Sequence, residues 1–163
     1  MNAADAADAA RLVAWGQEMR AVHRRLVDAL DIARESIEDG SIRPSLTGDL
    51  QLYCLGFCSA LTGHHTAEDN QLFPRVLRER PELAPAIATL IRDHTMIAHL
   101  IRDLEHALAN SDDRSDTPAL LQHLDGIEAV MVTHFRFEEK QLVGLLDAMA
   151  IDADRTDLFG AIV

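Results

Sequence analysis

Aromatic residues make up only 4% of this sequence, and glycine, proline and cysteine are sparse. Few aromatics and no β-branched runs leave little from which to build a sheet. Few glycines and prolines leave little to interrupt a helix. Alanine and leucine dominate instead, and both favour helix. No apolar run is long enough to span a bilayer, so no membrane segment is expected. There is no Lys/Arg cluster, and the formal net charge is −12, which excludes nucleic acid as a natural partner. The start, Met1 to Ala10, carries Asp5 and Asp8 and lacks the basic-then-apolar pattern of a signal peptide. The two cysteines, Cys54 and Cys58, form no disulfide framework and suit a reducing compartment. A cytoplasmic protein is expected.

A chain of 163 residues reads as a single domain over 1–163, with an all-α bundle over about 8–150. Apolar periodicity predicts four long helices. The first runs from about Asp8 to Glu38 on the stripe Leu12, Trp15, Met19, Val22, Leu26, Leu30 and Ile37, and Asp39-Gly40 ends it. The second starts after Pro44 with Ser45 as N-cap, and its stripe is Leu46, Leu50, Tyr53, Phe57 and Leu61. Pro74 should kink or break it, with a short continuation to about Arg80. The third runs from near Pro81 to Ala109 with Ile87, Leu90, Ile97, Ile101, Leu104 and Leu108 inward. A polar loop, Asn110 to Thr117, leads to the fourth, Pro118 to about Ala150. Its inward residues are Leu121, Leu124, Ile127, Val130, Met131, Leu142 and Leu145. Asp152 to Val163 is a short final helix or a docked tail. Short connections make neighbours antiparallel, which gives an up-down-up-down four-helix bundle.

One histidine falls in each apolar stripe: His23, His64, His94 and His134. Counting residues from each turn, at about 1.5 Å of rise per residue, brings all four to one layer. Glu68 and Glu138 follow His64 and His134 by four residues, so each pair stacks on one face. The spacing alone decides little, because His99 with Asp103 and His65 with Asp69 also have it. His99, however, lies about 140° round the helix from His94, among charged residues, and reads as solvated. His106 and His123 also read as surface residues.

Buried imidazoles and carboxylates are costly without partners, and metal satisfies them. Six ligands exceed the four of a zinc site. Two cations bridged by two carboxylates use all six, and mixed imidazole and carboxylate ligation suits iron or manganese, with zinc also admitted. Cys54 and Cys58 read as small packing residues, and Trp15 and Tyr53 as large packing residues on or near the core stripes. Asp69 and Glu139 adjoin the ligands and either orient them or sit on the helix surface.

The segments HHTAEDNQLFP (His64 to Pro74), DHTMIAHL (Asp93 to Leu100) and THFRFEEKQL (Thr133 to Leu142), with His23 upstream, closely resemble the hemerythrin-like HHE cation-binding domain. The resemblance covers about residues 10–150, and the order H…HxxxE…H…HxxxE is specific. It implies an oxo- or hydroxo-bridged di-iron centre that binds, acts on or senses oxygen, peroxide, nitric oxide or iron. Oxygen carriers of this type have a second histidine one turn after the third-helix ligand; here that position is Ala98. The resemblance then implies a symmetric site. One metal takes His23 and His64, the other His94 and His134, and Glu68 and Glu138 bridge. His65 is an extra ligand in some relatives, but a place behind the ligands or on the helix surface is the expectation here.

Two functions follow from the resemblance. The first is an enzyme-like or protective protein that reacts with peroxide or oxygen, by catalase- or peroxidase-type turnover. The second is a binding or sensing module for oxygen, nitric oxide or iron without turnover. A sensor would need a partner protein to supply an output, since the chain has no room for an output domain.

Overall fold

The computed structural model describes residues 3–39, 47–111 and 116–161, with side chains from Trp15 to Glu38 and from Tyr53 onward. These residues form helices and no strands. In order they are α1 (Ala3–Asp39), α2 (Thr47–Ala67), a π-helical turn (Glu68–Leu72), α3 (Phe73–Glu79), a 3-10 turn (Pro81–Leu83), α4 (Ala84–Ala109), α5 (Thr117–Ala148) and α6 (Arg155–Phe159). The predicted ends at Gly40 and Ser45, and the side chains of Leu12, Leu46 and Leu50, lie outside the described residues.

The long helices pack in a ring: α1 against α2 and α5, and α4 against α5 and α2. Cross-contacts give the direction of one pair. Gly16 meets Asp147, His23 meets Glu139, and Arg34 meets Asp125 and Glu128. Numbers rise on α1 as they fall on α5, so these two helices are antiparallel. Gly16 is needed where they start: its N–H donates to Asp147 Oδ1 at 3.0 Å, and a Cβ there would lie 2.8 Å from the Val143 carbonyl oxygen.

The periodic stripes form the core. Met19, Val22, Leu26, Leu30 and Ile37 of α1 and the whole predicted stripe of α4 are buried. Each such side chain contributes about 1.5–3 kcal/mol by leaving water. Helix α5 is turned slightly from expectation. Leu120 and Leu146 are buried, whereas Leu121, Val130 and Leu145 are half-buried. The line along α5 that carries His134 and Glu138 inward passes through Leu120, Leu124, Ile127 and Met131, and this fixes the rotation.

Tyr53 departs more clearly, at 49% exposed. Cys54, one residue on, takes the inward place, and the Tyr53 ring goes to the rim of a groove with Ile32. Cys54 and Cys58 are both buried and free. Burial pushes their thiols up to about 11 and about 12.

Pro74 produces no sharp break. The chain widens into the π turn, where the Phe73 N–H donates to Glu68 O, and α3 then continues to Glu79. A wider turn keeps the proline ring clear of the preceding carbonyls. The C-terminal segment docks as α6, with Leu158 and Phe159 fully buried. Among the described residues no helix is long and apolar enough to cross a membrane.

Candidate metal centre

The inward positions of α1, α2, α4 and α5, with the first residue of the π turn, bring His23, His64, Glu68, His94, His134 and Glu138 into one buried layer. His64, Glu68, His134 and Glu138 have no exposed surface at all. Two groups form within it. In one, His23, His64, Glu68 and Glu138 each offer a ligand atom within 4.8 Å of the others; in the second, His65, Glu68, His94 and His134 do the same.

Glu68 belongs to both groups. Its Oε1 lies 3.1 Å from His64 Nε2 and its Oε2 3.4 Å from His94 Nε2. Glu138 Oε2 lies 3.1 Å from His23 Nε2 and 3.8 Å from His134 Nε2. Each carboxylate therefore faces an imidazole of either group.

Four imidazoles are fixed from behind. The Nδ1–H of His23 donates to Glu139 Oε1 at 2.8 Å, and that of His94 to Asp69 Oδ1 at 2.7 Å. His134 Nδ1–H donates to Asp93 Oδ2 at 3.2 Å and His64 Nδ1–H to Phe159 O at 2.9 Å. With Nδ1 engaged outward, each Nε2 turns to the centre, the arrangement that metal-ligating histidines adopt. Asp69 and Glu139 thus sit behind His94 and His23. Asp93 and the Phe159 carbonyl had no sequence signal, because each holds a histidine on another helix.

The centre lacks partners of its own kind. His23, His64 and His65 Nε2 and all four oxygens of Glu68 and Glu138 are buried without a hydrogen bond. His94 and His134 point their Nε2 atoms at each other across 3.0 Å. A proton on His94 Nε2 can bridge that pair, and a metal ion would compete for the same two nitrogens. Seven orphaned polar atoms cannot be left so cheaply, at about 1–3 kcal/mol each. Imidazole nitrogens and carboxylate oxygens in such sets fit a transition-metal ion.

The electrostatics carry the same strain. Burial opposes a proton on His23, but the Glu138 and Glu139 carboxylates outweigh it and raise it to about 9. Asp69 and Glu68 likewise raise His94 to about 9 against burial. Burial pushes His64 down to about 3, takes His65 well below its usual range and lowers His134. Burial, with the nearby Glu138 charge next, raises Glu68, while the His23 contact overcomes burial and lowers Glu138. One carboxylate thus holds its charge at the expense of the other.

Of the two places expected for His65, behind the ligands or on the helix surface, the second is excluded. His65 is 5% exposed, stacks on His94 at 3.9 Å between ring centroids, and belongs to the second group. The signal was present: Cys58 and Leu72, seven residues to either side, are both buried on the same face of the chain. His99 and His106 are exposed, and His123 is half-buried. Phe135 stacks on His23 at 3.9 Å and Phe73 on His94 at 5.5 Å, which keeps the layer apolar around its polar atoms.

Two clefts reach the layer from outside. One of about 170 Å³ is lined by Thr62, His65, Thr66, Asp69, His94 and Ala98. The other, of about 270 Å³, lies beside His23, Val27, Val132 and Phe135.

A layer of helices that presents imidazoles and shared carboxylates to a common centre defines a helical metal-binding protein. The sequence model described as the hemerythrin HHE cation binding domain matches residues 17–146, and the chain belongs to that family. Searches among curated proteins and among solved structures gave no significant match.

Proposed function

We propose that this protein binds two iron ions in an up-down-up-down bundle, as a single cytoplasmic domain, and reacts with peroxide or oxygen. The observation that carries this reading is the set of seven buried polar atoms without partners, gathered around Glu68 and Glu138. His23 and His64 would hold one ion, and His65, His94 and His134 the other, with Glu68 and Glu138 as the carboxylates available to both. The antiparallel α1–α5 pair supports the bundle order, and the two buried free thiols fit a reducing compartment. Manganese or zinc fits the same donors, but iron pairs with the small-molecule chemistry common in this family.

Bound iron would supply the electrons that reduction of oxygen or peroxide requires. The chain's own residues do the rest. Ala98 leaves open the cleft beside His65 and His94, and the hydroxyls of Thr62, Thr66 and Thr95 line it. The Thr62 and Thr66 hydroxyls bind and orient a small polar oxidant, whereas the Thr95 hydroxyl donates to Ile91 O at 3.2 Å. Asp69 lines the same cleft and holds the His94 Nδ1 proton. Phe135 and Phe73 exclude water.

The alternative is a module that binds or senses oxygen, nitric oxide or iron without turnover. Its support is the full burial of both carboxylates, which suits retention of a small diatomic gas. Anaerobic Fe²⁺ titration followed by addition of peroxide separates the readings. Uptake of two ions and steady oxygen release supports the first reading. Two ions with tight nitric oxide binding and no oxygen release supports the second. A folded protein that takes up no iron refutes both.

A further inference from the structure

Three of the four anchored imidazoles donate to carboxylates on neighbouring helical segments. His64 alone donates to a backbone carbonyl, that of Phe159, 95 residues further along the chain. That carbonyl sits at the end of α6. The segment is seated firmly: Phe159 packs its ring against Trp15 and His64, with centroids 6.2 and 6.3 Å apart, and Arg155 reaches Glu18 at 3.3 Å.

Gly160 closes the turn at φ +82°, in the left-handed region. A Cβ there would stand 2.8 Å from Gly63 C and 2.9 Å from both Gly63 O and His64 N. The end of α6 therefore lies directly on the α2 backbone at the residue that carries His64. Neither the dihedral nor the space admits a side chain, and the atoms in the way are backbone, which cannot yield.

We propose that Arg155–Gly160 is a positioning strap for the metal centre, which holds His64 through Phe159 O as the Nδ1–H tautomer with Nε2 turned to Glu68. A carbonyl only accepts, so it selects one tautomer, and the lone pair must then lie on Nε2. The strap touches no residue of the second group through this bond. It therefore acts mainly on the His23–His64 group, because the imidazoles of His65, His94 and His134 make no contact with Phe159 O. This inference rests on the metal-binding reading above.

The test compares Gly160→Ala and Gly160→Val with Gly63→Ala in the full-length chain. Gly63 is the control, because a Cβ there meets nothing within 4 Å. Each metal-depleted protein is titrated with Co²⁺, with visible absorbance and metal analysis as readouts and circular dichroism for helix content. Wild type and Gly63→Ala should take up two equivalents alike. The Gly160 variants should keep their helix content, bind one equivalent normally and bind the second about 10–100-fold more weakly, the usual effect of losing a group that orients a metal-bound histidine. Wild-type affinity for both equivalents in both Gly160 variants overturns the inference. Equal weakening of both equivalents also overturns it, because that reports general loosening. If both Gly160 variants fail to fold, ¹⁵N NMR of the metal-free wild type decides: His64 as the Nδ1–H tautomer sustains the strap, and the Nε2–H tautomer overturns it. A wild type that takes up no Co²⁺ refutes the metal centre itself, a failure visible before any variant is compared.

Discussion

Glu68→Gln separates what the centre costs the fold from what it gives in binding. The Glu68 oxygens face imidazole nitrogens, His64 Nε2 at 3.1 Å and His94 Nε2 at 3.4 Å, and a glutamine amide of the same shape can face the same atoms. Burial, with the Glu138 charge second, raises the carboxyl from 4.5 to about 8. The unfolded chain ionises this group above pH 4.5, and the folded chain only near 8. This group therefore makes the metal-free fold lose stability as pH rises through that window, and the glutamine variant lacks that part of the loss. At pH 7, about 2.5 units above the unfolded value, the difference at about 1.36 kcal/mol per unit is ~3 kcal/mol. A chain of this size shifts by about 2–4 °C per kcal/mol. The metal-depleted variant should melt roughly 6–12 °C above the metal-depleted wild type at pH 7, and within about 2 °C of it at pH 4.5. Metal reverses the order. At a hundredfold excess over Kd each site adds about 2.7 kcal/mol to the wild type, whereas the variant, which lacks the shared carboxylate, gains little. Thermal melts in chelator and in Co²⁺ at the two pH values measure all four quantities. A metal-free variant that melts below wild type at pH 7, or one that gains as much from metal, would refute the reasoning.

His65→Ala should weaken one metal equivalent by at least about tenfold and leave the other unchanged; titration that gives two wild-type equivalents would make His65 a bystander. Cys54 and Cys58, whose thiols burial holds at about 11 and about 12, should resist a thiol reagent at pH 8 until the protein is unfolded; rapid labelling of the folded protein would contradict their burial. Arg34→Ala removes contacts at 2.6 Å to Asp125 and 2.5 Å to Glu128, far from the centre. These carboxylates are largely exposed, so the loss should be about 0.5–1 kcal/mol, read as a small fall in Tm, with metal uptake untouched.

The long helices were legible because their stripes repeat at helical spacing over many turns, as in α4, where every predicted inward residue is buried. The histidines of the layer were legible for the same reason, since each replaces an apolar residue in a stripe. What stayed hidden depends on how helices cross. Asp93 holds a histidine of α5 from α4, and Phe159 holds one of α2 from α6; no spacing along the chain encodes either contact. The π turn also had no periodic signature, and only Pro74 hinted at it. The burial of His65 has no signature in a narrow stripe, because a helix that faces two neighbours buries adjacent positions. Tyr53 erred the other way, since a small Cys54 fills its place in the core.

The acids behind the imidazoles have a consequence for electron transfer. Asp69, Asp93 and Glu139 are each about a third exposed and lie just outside the layer, while Glu68 and Glu138 lie within it. Any ion held there sits inside a double shell of negative charge. Losing an electron adds positive charge, which that shell favours. The reduction potential of a bound ion should therefore fall below that of the same imidazoles backed by neutral amides, and replacing Asp93 or Glu139 with the amide should move it upward.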